Sequence, residues 1–522
     1  MCRLYLVAFI DQFAQSVQGA LNADVASGFK QHGLSGITDV LATIFGGVCN
    51  LAIAKIIDIW GRCEGFLVMI GFILLGMVMK AACINIEMYT AANTIHWVGH
   101  IGVQYVISII YADTTSLQNR MILFGLQQTP IVASVFGGGA VAELFKKHGK
   151  IPWAFGSFCI IMTFFAIPVA AVFVYSKHKA QREGKFPKRI SGRTIGESIK
   201  YYAIEFDVPG MFLTIFGWAL LLLPFSLVVY APNGWKTGYI IAMIVVGAVL
   251  LIAFVIWEKF FATVTYFPFR YLKNRTILGA CLLYGFMFLS IFVWDTYYYS
   301  YLRVVHDLSI RDASYTLNAF TVSSAIISPF IGLLISFLGT FKWPSIAISP
   351  VAILGTALLI YFRHPGTDVG YLVMCQIFNG VATGFWALTA QLAIMASVSH
   401  QEIAVAIALW GLFGSIGAAI GNAIAGGLWT NIVPRELYKN LPENVKNLTM
   451  EIYGDIDKQT GYPIGTPVRD AIIHTYGYVQ RIMVIVGACF LPLCIICLFM
   501  WKNINVKQLE KARGKQIAGN VF

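Results

Sequence analysis

Asp11, Gln15, Gln18 and Asn22 stand at i, i+4, i+7 and i+11 in an otherwise apolar run, so a helix would carry one carboxyl and three amides on a single face. A second run repeats the theme with His96, His100 and Gln104. A carboxyl held away from water protonates more readily, and a histidine titrates near neutrality, so Asp11, His96 and His100 are candidates for loading and releasing a proton. The plainer readings are an aspartate bonded by Gln12 or Gln15 and histidines with structural partners. A third cluster is FVWDTYYYSYLRVV, where Asp295, a fourth candidate for proton coupling, is followed by Tyr298 and Tyr299, candidates for holding a ligand. Tyrosine also anchors membrane interfaces, which accounts for some of these rings but not for the acid among them. Further along come Gln376, Asn379, Trp386 and Gln391, then Trp410 and Asn422. Together with Gln15, Gln18 and Gln104, these amides and rings describe a cavity for a bulky, weakly charged ligand.

The elements that must position these groups are membrane helices. Of 522 residues, 58% are hydrophobic and 12% charged, with a mean hydropathy of +0.72, whereas ordinary globular chains are about a quarter charged. Repeated apolar runs long enough to cross a bilayer predict fourteen spans, near 4–21, 34–54, 65–83, 89–111, 121–142, 152–175, 209–231, 238–257, 277–302, 314–338, 343–362, 369–396, 403–429 and 482–501. Two polar segments stand apart, 176–208 and 430–481. In a chain so apolar, the net charge of +12 reports loops at lipid surfaces rather than a nucleic-acid footprint. Cysteines fall within or beside apolar runs, which argues against a disulfide framework, and Cys494 and Cys497 lack the second ligand pair of a zinc site. Gly137, Gly138 and Gly139 lack the lysine and hydroxyl of a phosphate loop, so neither nucleotide drive nor enzyme chemistry is expected, and no cofactor.

Lys and Arg of short loops favour the cytoplasm. The run KHKAQREGKFPKR and the tail KQLEKARGK then place both chain ends inside, with Lys146, Lys147 and Lys150 as a local exception. On this topology the sequon at Asn447 is outside and open to glycosylation, and that at Asn274 is inside and bare. The chain opens on its first span, without the cleavage site of a signal peptide.

Between the second and third spans, AKIIDIWGRCEG carries Lys55, Asp58, Gly61 and Arg62, which resemble the signature loop of the major facilitator superfamily. An acid and a base at such a hinge can pair in one conformation and part in the other, and glycine permits the turn. SGFKQHGL at 27–34, YADTTSLQNR at 111–120, WDTYYYSYLRVV at 294–305, GLWTNIVPRELYKNL at 427–441 and YPIGTPVRDAIIHTYGYVQRIM at 462–483 are similar to the fungal siderophore-iron transporter family over nearly the whole chain. The resemblance implies an all-α major facilitator fold of fourteen transmembrane helices: a six-helix bundle at 1–175, a cytoplasmic loop at 176–208, two linking helices at 209–257, a second bundle at 258–501 that includes an outer loop, and a tail at 502–522. It also implies proton-driven uptake of a ferric siderophore, with iron carried by the ligand and no metal site in the protein. A long N-terminal extension usual in the family is missing, and the second-half counterpart of the signature loop, GTFKW, is poor in charge.

In such a carrier the substrate binds near the midplane and the bundles rock around it. Iron held by three hydroxamates is neutral and globular, which suits walls of aromatics and amides. A potential of 100 mV supplies about 2.3 kcal/mol per proton and each pH unit about 1.4 kcal/mol. Tyr453 and Tyr462, in the 430–481 segment, mark a candidate first capture site; the alternative there is a solvated loop with an amphipathic helix near 468–480. Haem or glutathione carriage, a drug/proton antiporter and a siderophore sensor that does not transport are the rival functions. The spacing of Pro130 from Gly137 departs from the Gly-Pro-x-x-Gly-Gly element of exporters, and no inner loop is large enough for a signalling domain. Residence at the cell surface or in endosomes stays open at this point.

Overall fold

The computed structural model describes residues 2–29, 35–115, 119–183, 192–265 and 267–513. Parts of the 27–34 and 111–120 segments, of the basic run after Glu183 and of the tail lie outside them. The described residues form helices, with a lone bridge between Thr340 and Asn505. The long helices are α1 Cys2–Gly28, α2 Ser35–Ile59, α3 Arg62–Ala81, α4 Ile86–Thr114, α5 Arg120–Lys147, α6 Ile151–Arg182, α7 Val208–Tyr230 and α8 Gly238–Phe260. Then follow α9 Arg275–Val305, α10 Ile310–Leu338, α11 Lys342–Phe362, α12 Val369–Ser397, α13 Ile403–Asn440 and α14 Pro467–Phe499.

Thirteen of the described helices are long and apolar enough to cross a membrane. The remaining one, α1, has 27 residues and the length to do so, but its average hydropathy is lowered by Asp11, Gln12, Gln15, Gln18, Asn22 and Asp24. Asp11, Gln18 and Asp24 are turned inward, at 0%, 3% and 5% exposure. With α1 the expected fourteen are complete. The fold is that of an all-α membrane protein.

Local chemistry explains several breaks in these helices. Pro130 interrupts α5 because it has no N–H to donate; the freed Leu126 carbonyl accepts instead from the Thr129 hydroxyl at 2.7 Å. Asn274 caps α9 by accepting from the Thr276 amide at 3.0 Å. The polar stretch expected at 430–481 is mostly helical. α13 runs on to Asn440 and α14 begins at Pro467, capped by Thr466, so the expected amphipathic helix is the first half of α14. Only 441–466 connects them, through the short helices Glu443–Leu448, Thr449–Gly454 and Ile456–Gly461.

α1 packs against α5 and α6, and α3 against α4, while in the second half α10 packs on α12 and α9 on α13. α7 and α8 pair with each other beside α2. The halves meet chiefly along two helix pairs, α2 with α13 and α5 with α10. At the second joint Gly125 faces Ser328 and Pro329; a Cβ there would lie 2.7 Å from backbone atoms of α10, so glycine sets the approach. Between these joints the halves leave internal space.

Candidate substrate chamber

That space is polar on one wall and aromatic on the other. Its larger compartment, about 270 Å³, takes Asn50, His100, Gln104 and Ser108 from α2 and α4. Tyr284 and Trp410, from α9 and α13, stack at 3.8 Å between centroids to make the facing wall. Apart from His100, no lining residue described there is acidic or basic. A smaller compartment of about 110 Å³ adjoins it across Thr43, Trp97 and Phe292, which line both. Gln15, Gln18, Asn22, Asp39, Lys80 and Asn422 give this one its polar character.

The two stripes read from the sequence meet here. Asp11 has no exposed surface; one carboxylate oxygen accepts from His100 Nδ1 at 2.7 Å and from Gln104 Nε2 at 2.8 Å. Its other oxygen has no partner among the described residues. An imidazole that borders the chamber therefore stands directly on a sequestered carboxylate. Asn22 accepts from the Tyr89 hydroxyl at 2.5 Å, and Gln18 accepts from Lys80 Nζ at 2.7 Å. His96 is buried behind the chamber wall, with Nδ1 3.5 Å from Lys80 Nζ.

The structure sets other candidates apart from both compartments. Asp295 sits where α9 breaks, near the fully buried Arg363 but without an ion pair to it among the described residues. The Arg363 guanidinium lies 3.8 Å over the Tyr298 ring and donates to the Trp294 carbonyl at 2.7 Å and to Gln480 at 3.1 Å. Tyr299 is buried and its hydroxyl accepts from Arg303 at 3.4 Å. Trp386 is fully buried, its indole donating to the Ser345 carbonyl at 2.9 Å. Tyr453, 1% exposed, belongs to a packed cluster with Trp429 and Tyr476, and Tyr462 packs at its edge.

At the 176–208 face, Gly61 adopts φ 113°, a conformation that favours glycine. The following Arg62 donates to Asp113 of α4 at 3.0 and 3.1 Å and lies 4.0 Å from Asp58. Lys55 donates to the Glu205 carbonyl at 2.6 Å. Asp113 also faces His400 of the second half at 3.6 Å, and the Tyr105 hydroxyl donates to the Ala404 carbonyl at 2.7 Å.

Ion pairs hold the opposite, 441–466 face. Asp24 of α1 is paired with Lys146 of α5 and lies 3.7 Å from Arg303 of α9; Lys146 also donates to Asp457 at 2.6 Å. Buried Arg469 donates to Asp307 at 3.1 Å and to the Val304 carbonyl at 2.8 Å. Sequence reasoning passed over Asp24, Asp39, Lys80 and Asp113. Charge inside an expected span was the available signal for Asp39 and Lys80; nothing in the sequence showed that Asp24 and Arg303 would meet.

Two bundles closing on a central cleft from both faces, with a buried carboxylate behind a histidine that lines it, are the architecture of a membrane carrier. The major facilitator superfamily model matches residues 4–421. Among solved structures, an inward-facing, occupied bacterial homologue of the human lysosomal transporter Spinster aligns with a TM-score of 0.54 at 13% identity, over 95% of each chain. The proton:xylose symporter XylE aligns at 0.50 and 12%, over 98% of each. Those likenesses show the fold alone.

Within the superfamily, the chain belongs to the fungal siderophore-iron transporters. It is 47% identical to MFS siderochrome iron transporter 1 of Ajellomyces capsulatus over 99% of this chain and 90% of that one. It is also 38% identical to siderophore iron transporter mirB of Emericella nidulans (98% and 85%), and 33% identical to siderophore iron transporter 1 of Schizosaccharomyces pombe (93% and 79%). The chain is a multi-pass membrane transporter and not an enzyme.

Proposed function

We propose that this chain takes up a ferric siderophore of the hydroxamate type, driven by protons, by alternating access. The observation that carries the reading is the larger compartment, lined by the Tyr284–Trp410 stack and by amides with no fixed charge beyond His100. Such walls suit a neutral, compact chelate, and the named relatives carry siderophore iron. At about 270 Å³ the compartment is smaller than the roughly 300–1,000 Å³ of ordinary ligand pockets, so the halves must separate for the chelate to enter.

Asp11 and His100 are the proton pair in this scheme, with Gln104 holding the carboxylate in place. Protonating the pair removes charge from the midplane before the cleft re-orients, which lowers the cost of moving the site past apolar surface. The Arg62–Asp113–His400 group is the latch of the 176–208 face, which is cytoplasmic together with both chain ends. The 441–466 segment is then external; Tyr462, at the edge of its core, and not the enclosed Tyr453 is the surface for first capture of the complex.

The test is accumulation of radioiron supplied as a ferric trihydroxamate, in yeast stripped of its own siderophore carriers. Uptake against a gradient, abolished by a protonophore, is expected. Binding without accumulation would make the chain a sensor, and expulsion of preloaded substrate an exporter.

A further inference from the structure

The smaller compartment holds more hydrogen-bond donors than its own acceptors use. Lys80 is 2% exposed and spends one proton on Gln18 at 2.7 Å, with His96 at 3.5 Å beside it. Gln18, 3% exposed, uses its carbonyl oxygen for that bond, so its amide nitrogen is left as a donor without an acceptor. The same holds for Gln15 Nε2, Trp97 Nε1 and Asn422 Nδ2, the last on a residue 1% exposed. Asn422 spends its oxygen on the Thr296 hydroxyl at 2.7 Å. These groups come from α1, α3, α4 and α13, so both halves contribute. Against them stands one carboxylate, Asp39, which interacts with Lys80 through space without an ion contact among the described residues.

Buried donors left unmatched cost about 1–3 kcal/mol each, and one ammonium with several N–H groups converging from two halves suits an anionic, oxygen-rich group. At about 110 Å³ the compartment fits such a group with little else, beside the chamber assigned to the chelate.

We propose that this compartment is a carboxylate subsite: Lys80, with Gln15, Gln18, Trp97 and Asn422 around it, binds a free carboxylate on the periphery of the ferric complex while the iron core sits against Tyr284 and Trp410. The inference rests on the uptake reading above and adds what that reading lacks, a rule for choosing among siderophores. Because α1, α3 and α4 close on α13 around the group, a carboxylate bound there also favours the joined state of the halves.

The experiment compares uptake of one linear ferric trihydroxamate carrying a terminal carboxylate with that of its methyl ester, in wild type, Lys80→Gln and Lys80→Arg. The acid is expected to show a KM lower by about tenfold than the ester. Lys80→Gln should bring the ratio close to one, and Lys80→Arg should keep most of it. Should Lys80→Gln not reach the membrane, Gln18→Leu and Asn422→Ala are expected to narrow the same ratio. Equal KM values for acid and ester in wild type, or a preference that survives Lys80→Gln, overturn the subsite and leave uptake standing. Accumulation of neither compound overturns the uptake reading and the subsite with it.

Discussion

Replacing Asp24 with Asn should open the 441–466 face. The Asp24 carboxylate is 1% exposed and is shared between Lys146, on its own half, and Arg303, across the cleft. Only the contact to Arg303 is lost when the halves part. At 3.7 Å the two charges attract by about 4 kcal/mol at an effective dielectric of 20. Desolvation of the 11% exposed Arg303 and competition from Lys146 offset about half of this, leaving about 2 kcal/mol, the lower end for one interrupted buried pair. That corresponds to about a thirtyfold shift toward the open cleft. The assay places a cysteine at Asn22, which lines the smaller compartment, and follows labelling by a membrane-impermeant thiol reagent applied from the 441–466 side, corrected for the chain that retains Asn22. Asp24→Asn should raise the labelling rate by at least tenfold, and Arg303→Gln should do so without adding to it. A change under threefold, or full additivity of the two substitutions, would refute the argument that this pair holds the face shut.

Asp11→Asn should abolish proton-dependent accumulation while substrate exchange across the membrane persists; counterflow in vesicles checks this, and equal loss of both would remove the coupling role. Arg363→Met strips the Trp294 carbonyl and Gln480 of their buried donor and should lower stability by about 3 kcal/mol, read as a fall in melting temperature in detergent, with Arg363→Lys losing less. In the connecting helix Ile195–Glu205, the Thr194 backbone amide and hydroxyl hold the Glu197 carboxyl below the usual carboxylate range. A lowered folded-state pKa means that the cap's contribution is present above the unfolded pKa and is lost as pH falls through the folded one. Protection of the 195–198 amides, taken relative to the unstructured chain at the same pH, should therefore fall only in acid, and Thr194→Ala should lower it at neutral pH.

What could be read from the sequence divides along a physical line. Spans are set by stretches of apolar residues, and all fourteen emerge near their expected positions. That the first and fourth spans each carry one polar face was legible too, because helical spacing aligns each stripe; the partners were not, since neighbouring Gln12 and Gln15 were the expected donors to Asp11 and the structure supplies His100 and Gln104 from another helix. Boundaries at the ends of α13 and α14 were not, since helices that project beyond the apolar layer continue in polar residues, and hydropathy stops at the layer. Trp386 and Tyr453 were chosen as ligand-facing by residue type; a large ring can as well fill a core, and only packing tells the two apart. Lys80 and Asp39 are the reverse case. Each interrupts an apolar run, and the expense of a charge at that depth was the sign that they face a cavity.

The two closures of the cleft differ in their charged contacts, and that difference is testable. Among the described residues, the contacts between halves at the 176–208 face include Tyr105 to the Ala404 carbonyl, Ser336 to Asn119 at 3.4 Å, and one aspartate–histidine approach. At the 441–466 face backbone and hydroxyl bonds, such as the Ile456 amide to Ser27 at 3.3 Å, are joined by ion pairs of unequal exposure. Asp457 is 56% exposed, so its bond to Lys146 is open to counterions, whereas Asp24 is enclosed. Salt screens exposed charges beyond about 8 Å at physiological strength and reaches buried pairs poorly. Raising potassium chloride should therefore increase labelling at position 22 from the 441–466 side by no more than a few-fold, well short of the effect of Asp24→Asn. In an Asp457→Asn chain the salt response should vanish, because the screened contact is already gone. If salt alone opened the face as far as Asp24→Asn does, the exposed pair and not the buried one would be the bolt, and the assignment of Asp24 would have to be withdrawn.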